Sequence, residues 1–89
     1  MADVHAAFSD ALSFPEYYGA NLDALHDMII EMTDEIIVIA VNTEQLASNV
    51  GKRRWKSFLR LMGYLVENRH AFRFFLEPFP PESEKTNNI

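Results

Sequence analysis

The feature that most constrains this chain is the run Ile36-Ile37-Val38-Ile39-Ala40-Val41. It carries no charge, and five of its six residues are β-branched, which favours extended over helical backbone. The run is too short for a good helix and is bounded by Asp34, Glu35 and Asn42. It therefore reads as a strand buried on both faces, the pattern of a parallel sheet. A second strand is expected at Phe72–Leu76, the segment FRFFL. Parallel strands need a long crossover. The residues between supply one: a short helix near Thr43–Asn49, a break at Gly51, and an amphipathic helix from about Arg53 to Glu67. Trp55, Phe58, Leu59, Met62, Leu65 and Val66 fall on one side of that helix, with Arg53, Lys56, Arg60 and Glu67 opposite. Strand, helix and strand make a right-handed βαβ unit by default.

Upstream, Asp3 is a candidate N-cap for a first helix, with Val4, Phe8, Ala11 and Leu12 as its apolar stripe. Pro15 disfavours helical geometry at Phe14, so the helix should stop near Ser13. Pro15-Glu16-Tyr17-Tyr18-Gly19 is then a short ordered loop, in which Gly19 can adopt a positive φ without steric cost. Asn21 is a good N-cap for a second helix that buries Leu22, Leu25, Ile29 and Met32. Asp23, His26, Asp27 and Ile30 share a neighbouring face of it. From Pro78 the chain should be an irregular tail, so residues 1–77 are expected to form the domain and 78–89 a Pro-rich extension.

With 89 residues, the chain should bury only about 60–65% of its unfolded surface. No cysteine is present to reinforce so thin a core or to act as nucleophile. Hydrophobic residues at 48% and charged residues at 24% exclude wholesale disorder. No apolar run reaches the ~18–20 residues of a membrane span, and no basic segment precedes an apolar one as in a signal peptide. A soluble, cytoplasmic domain is expected.

The net charge of −5 conceals an asymmetry. Residues 1–51 hold nine acids and no Lys or Arg, whereas residues 52–89 hold eight bases and four acids. The first half has no cation with which to neutralise phosphates, so it does not bind nucleic acid that way. An acidic field instead attracts a basic partner.

Asp23 and Asp27, four residues apart, repel by a few tenths of a kcal/mol on an exposed helix. Spacing alone favours a solvated acidic face; the functional reading is a docking patch for Arg or Lys. Catalysis lacks a nucleophile or signature motif, and no phosphate-binding glycine loop is present. Asp23, His26 and Asp27 lack a recognised metal-ligand spacing, and no cofactor is called for. His5 and His70 are expected at the surface or partly buried with satisfied nitrogens. Lys52-Arg53-Arg54-Trp55-Lys56 has the composition of an RNA contact. With Trp55 on the core stripe, its cations read as a solvated helix start that offsets the acidic half. Tyr17 and Tyr18 are expected to divide, one buried and one exposed.

The segment PEYYGANLDAL, residues 15–25, followed by His26 and Asp27, resembles the barstar family of intracellular ribonuclease inhibitors. That family reads PEYYG, one variable residue, NLDAL, an aromatic and then Asp; Asp3 and His5 also match its first helix. The similarity runs without gaps over about residues 1–77 and is specific in 15–27. It implies an α/β fold with a small parallel sheet, three-stranded in the family and two-stranded as visible here, packed against three to four helices. It also implies that the loop and second helix plug the active site of a basic guanyl-type ribonuclease or nuclease toxin, with acidic side chains replacing RNA phosphates. The implied partner-binding set is Asp27, Asp23, Tyr17, Asn21, Gly19, His26, Ile30 and Glu31, with Asp27 entering the phosphate site. Charge-steered association and an aspartate hot spot are known features of that inhibitor–ribonuclease pair and come with the resemblance.

Three differences stand out. The family's first strand has no counterpart, because Met1 falls where the first helix begins. His26 stands where the family usually has Trp, and Ile30 where the type member makes a polar contact. Tyr64 takes the place of an additional Glu on the last helix. The reading is a non-catalytic inhibitor forming a 1:1 complex, an immunity protein with no nucleic-acid or membrane partner. The alternative is a barstar-fold interaction module without nuclease inhibition, possible as a homodimer through an exposed sheet edge.

Overall fold

The computed structural model describes residues 1–77, and the expected tail at 78–89 lies outside them. Helices α1 (Ala2–Leu12) and α2 (Leu22–Glu31) precede strand β1 (Ile36–Val41); helices α3 (Thr43–Val50) and α4 (Lys52–Asn68) then lead to strand β2 (Phe72–Glu77). The two strands pair in parallel, from Ile36 opposite Phe72 to Val41 opposite Glu77. The α/β architecture with a small parallel sheet is therefore as the sequence predicts.

The core joins Phe8 of α1, Leu25 and Ile29 of α2, Phe58, Met62 and Leu65 of α4, and Ile36 and Phe72 from the strands. Full burial of a side chain such as Leu25, Ile29 or Leu65 is worth about 1.5–3 kcal/mol. Phe58 sits at the centre, edge-on to Phe8 at 6.2 Å and to Phe74 at 5.9 Å between ring centroids.

Several local expectations are corrected. Asp3 lies inside the first turn of α1 and caps nothing; Met1 is the N-cap residue. The strand β1 is buried on one face only, with Ile36 and Ala40 inside and Ile37, Ile39 and Val41 more than half exposed, because helices cover a single side of the sheet. Val66 is exposed, since the α4 stripe that meets the core is narrower than its apolar side. Ala11 is exposed as well. In the loop, Ala20 rather than Gly19 takes the left-handed conformation, with φ 51°. Gly19 is instead constrained by crowding: a Cβ there would lie 3.2 Å from Asn21 Nδ2.

Helix α1 does end at Ser13, which adopts φ 57°; the N–H groups of Ser13 and Phe14 both reach the carbonyl of Ser9. Gly51, at φ 98°, joins α3 to α4 in a conformation that side chains disfavour.

The most connected polar group is Arg69, buried just beyond α4. Its Nε donates to the Ile29 carbonyl at 2.7 Å. One terminal nitrogen donates to Met32 at 2.7 Å and Asp34 at 2.8 Å, the other to His70 at 3.0 Å and Ala71 at 3.3 Å, all backbone carbonyls. The guanidinium thus satisfies the end of α2, the connection to β1 and the turn into β2 together. Its charge also faces the negative end of the α2 dipole.

Replacing Arg69 removes the donor that the carbonyls of Met32, Asp34 and His70 share and the second donor of Ile29 and Ala71, so Arg69→Met should cost about 3–5 kcal/mol in urea unfolding. Arg69→Lys, with a compact ammonium in place of the planar fork, should recover only part of that. Exposed Arg54→Met should change stability by less than about 0.5 kcal/mol. A loss below about 1 kcal/mol for Arg69→Met would overturn the role given to this side chain.

Candidate functional site

The site is built from the Ser13–Ala20 loop and α2. Tyr18 anchors the loop: its N–H reaches the Pro15 carbonyl, and its ring packs on Phe14 with centroids 4.8 Å apart. Its hydroxyl meets Nδ1 of buried His5 at 2.6 Å, bridging the loop to α1. Burial, with a smaller contribution from the N-terminal ammonium, holds the His5 imidazole below its ordinary 6.5, while burial raises the Tyr18 hydroxyl above 10.0. The His5 ring is therefore neutral near pH 7 and shares a hydrogen bond with the Tyr18 hydroxyl. With Tyr18 inward, Tyr17 is left 82% exposed. The two tyrosines divide as expected, with Tyr18 half-buried.

Asn21 then starts α2. Its Oδ1 accepts the Ala24 N–H at 2.8 Å, and its Nδ2 reaches the Gly19 carbonyl at 3.4 Å. Asn21 and Gly19 shape the approach to the helix. Asp23, Asp27 and Glu31 follow at i, i+4 and i+8, an exposed row of three carboxylates along α2. Beside them run His26 and Ile30, the latter 39% exposed. The structure thus brings the eight expected residues onto one loop and one helix, with Tyr17 at one end and Glu31 at the other.

His26 Nδ1 lies 3.0 Å from Asp27 Oδ1, and the imidazole packs on Tyr64 of α4 with centroids 5.5 Å apart. A shallow pocket between α2 and α4 is walled by Asp23, His26, Arg60 and Tyr64. Among the described residues, no Lys or Arg pairs with a carboxylate of α2; the close partner of Asp27 is the His26 imidazole. The basic stretch at the start of α4 makes no ion pair with the acidic half, so the expected offsetting does not occur through contact. Trp55 is half-buried and stacked on Phe58 at 5.6 Å, as its place on the core stripe predicts.

Among the described residues, no cluster of three or more His, Asp or Glu could hold a metal ion. No helix there is long and apolar enough to cross a membrane. Sequence reasoning missed Arg69, whose contacts span up to 40 positions. It noted His5 without its tyrosine partner, which lies 13 positions away, past Pro15.

The family model described as Barstar (barnase inhibitor) matches residues 1–77. No curated protein and no solved structure matches the chain.

Because the folded state holds His5 below 6.5, the unfolded chain binds this proton more readily. The stability this group supports is complete above pH 6.5 and is lost as pH falls through 6.5 towards the lower native value. The urea midpoint should drop between pH 7 and pH 5, and His5→Gln should flatten that drop. An unchanged pH profile in the variant would show that His5 does not carry it.

Proposed function

The chain belongs to the barstar family, and from that premise we propose that it inhibits a basic guanyl-type ribonuclease or related nuclease toxin by occluding its active site. The observation that carries this reading is the row Asp23, Asp27 and Glu31, exposed on one helix and paired with no Lys or Arg among the described residues. A row of like charges is mildly destabilising in the free protein. Phosphate-binding cations of a nuclease would remove that repulsion and donate charge-assisted hydrogen bonds to the carboxylates.

Asp27 enters the phosphate site and Asp23 flanks it. Tyr17 offers an apolar ring with a polar tip at the mouth of the loop, the chemistry enriched in interface anchors. His26, Ile30 and Glu31 complete the contact on α2, with Asn21 and Gly19 shaping its entry. The inhibitory unit is residues 1–77, binding its nuclease one-to-one in the cytoplasm it protects, without chemistry of its own. The net acidity of residues 1–51 steers the encounter.

A second reading rests on His26 and Tyr64. The imidazole turned against Tyr64 already engages Asp27, so this face differs from a row of free acids. On that reading the chain binds another protein through the same surface and inhibits no nuclease.

Asp27→Ala should weaken calorimetric binding to a cognate guanyl-specific ribonuclease by about thirty-fold or more, the threshold of a hot spot. Glu35→Ala should change it by less than about three-fold. Asp27→Ala should leave the urea midpoint nearly unchanged, separating binding from folding. Equal effects of the two substitutions on affinity would sink the proposal, and binding without inhibition would favour the second reading.

A further inference from the structure

Arg60 stands where two parts of the surface meet. With Ser57 it lines the shallow pocket that holds Asp23, His26 and Tyr64, and it also lines a second depression with Lys52, Arg53 and Lys56. The exposed acids of α2 and the exposed cations of α4 therefore belong to one continuous face. Helices α2 and α4 run in the same direction across it, because Asp23 lies beside Arg60, His26 beside Tyr64, and the Ile29 carbonyl beside Arg69. From the level of Asp23 and Arg60, Asp27 and Glu31 continue one way, Lys56 and Lys52 the other. Each row advances about 12 Å along its helix. Opposite charges thus flank a middle formed by His26 and Tyr64, the latter 49% exposed.

Rows of opposite sign, equal length and equal spacing on either side of one point make the face complementary to itself. A twofold axis lying in the face at that point, square to the line joining the two rows, brings a second copy into register. It sets Asp23 against Arg60, Asp27 against Lys56 and Glu31 against Lys52, each pairing occurring twice. The Tyr64 rings then lie near the axis, an aromatic centre inside a charged rim, which is the anatomy of protein interfaces. Within one chain, among the described residues, no Lys or Arg pairs with these carboxylates, although Asp23 and Arg60 share a pocket. The net charge of −5 opposes association, but salt screens it beyond about 8–10 Å, whereas charges in contact are screened less.

We propose that a second copy of this chain occupies this face, in a twofold dimer that sets the α2 row of each copy against the α4 row of the other. The dimer does not rest on the nuclease reading. Where that reading holds, the second copy covers Asp27, so self-association and nuclease binding exclude one another.

Sedimentation equilibrium of the full chain, from about 10 μM to about 1 mM in about 0.1 M salt, should show the mass rising towards twice that of one chain. Raising the salt to about 1 M should weaken the dimer about ten-fold or more, whereas net repulsion alone would make salt strengthen it. Asp27→Lys and Lys56→Glu should each weaken it about ten-fold or more, although the first lowers the net negative charge and the second raises it. Mixed in equal amounts, the two variants should associate as the unaltered chain does. Each introduced charge then faces its opposite, and the remaining Asp27 faces the remaining Lys56. Both positions are exposed, so the far-ultraviolet circular dichroism should not change. Tyr64→Arg, which brings like charges together at the axis, should also weaken the dimer and covers the case in which a charge-reversed variant fails to fold. A single-chain mass at millimolar concentration would overturn the proposal. So would a dimer that both charge substitutions leave unchanged, as one paired through its sheets would be, or a mixture no more associated than either variant alone.

Discussion

A buried guanidinium bonded to backbone carbonyls, with no carboxylate partner among the described residues, holds this fold together. Arg69 meets carbonyls from α2, from the α2–β1 connection and from the turn into β2, three segments that the hydrophobic core alone would leave free to slide. A carboxylate partner would have tied the charge to one point. Backbone acceptors spread it over five, and those of Met32, Asp34 and His70 have no other donor among the backbone bonds between elements. In a chain this small, where net stability is about 5–15 kcal/mol, a residue able to cost several is not one contact among many. Its position also fixes the helix of the candidate site: α2 is held at its C-terminal end by Arg69 and at its N-terminal end by Asn21. A rigid helix loses little freedom on docking, and preorganisation of that kind raises affinity without new contacts.

The charge distribution works against stability and in favour of association. Among the described residues, the acids of residues 1–51 find no Lys or Arg partner and the cations at the start of α4, on another helix, find no acidic one. Pairing them internally would have been worth about 0–1 kcal/mol each at the surface, little enough for the core to do without. Left unpaired, the acids keep a field that extends about a Debye length, 8–10 Å, into solvent. The apolar cluster around Phe58 supplies the cohesion that lets the surface remain so one-sided.

What the sequence revealed divides along the range of the interactions. The elements were legible because their signals are local: the β-branched run at Ile36–Val41, Asn21 before an apolar stripe, Pro15 two residues after the end of α1. The candidate site was legible as well, because its residues fall on one loop and one helix. Its tyrosine pair divided as expected, although the reason, a hydrogen bond between Tyr18 and His5, crosses a turn whose geometry no periodicity encodes. Arg69 was invisible for the same reason: an arginine at a helix end reads as solvated until three distant carbonyl groups converge on it. The two-faced burial expected of β1 failed because hydrophobicity reports that a face is apolar, not that anything covers it.

That last failure bears on how the molecule can be used. The acidic face of α2 and the β1 edge that is unpaired among the described residues share no residue, yet they are joined by the short connection from Met32 to Glu35. Arg69 holds the carbonyls of Met32 and Asp34 in that connection, and the Ile36 N–H reaches the same Ala71 carbonyl that Arg69 contacts. A segment clamped at successive points has no second arrangement to adopt, and coupling between sites requires one. A substitution on the β1 edge should therefore change affinity at the α2 face by less than about 0.5 kcal/mol, the additivity expected of separate sites. The same clamp that stiffens α2, the helix of the candidate site, thus also insulates it from changes at the sheet.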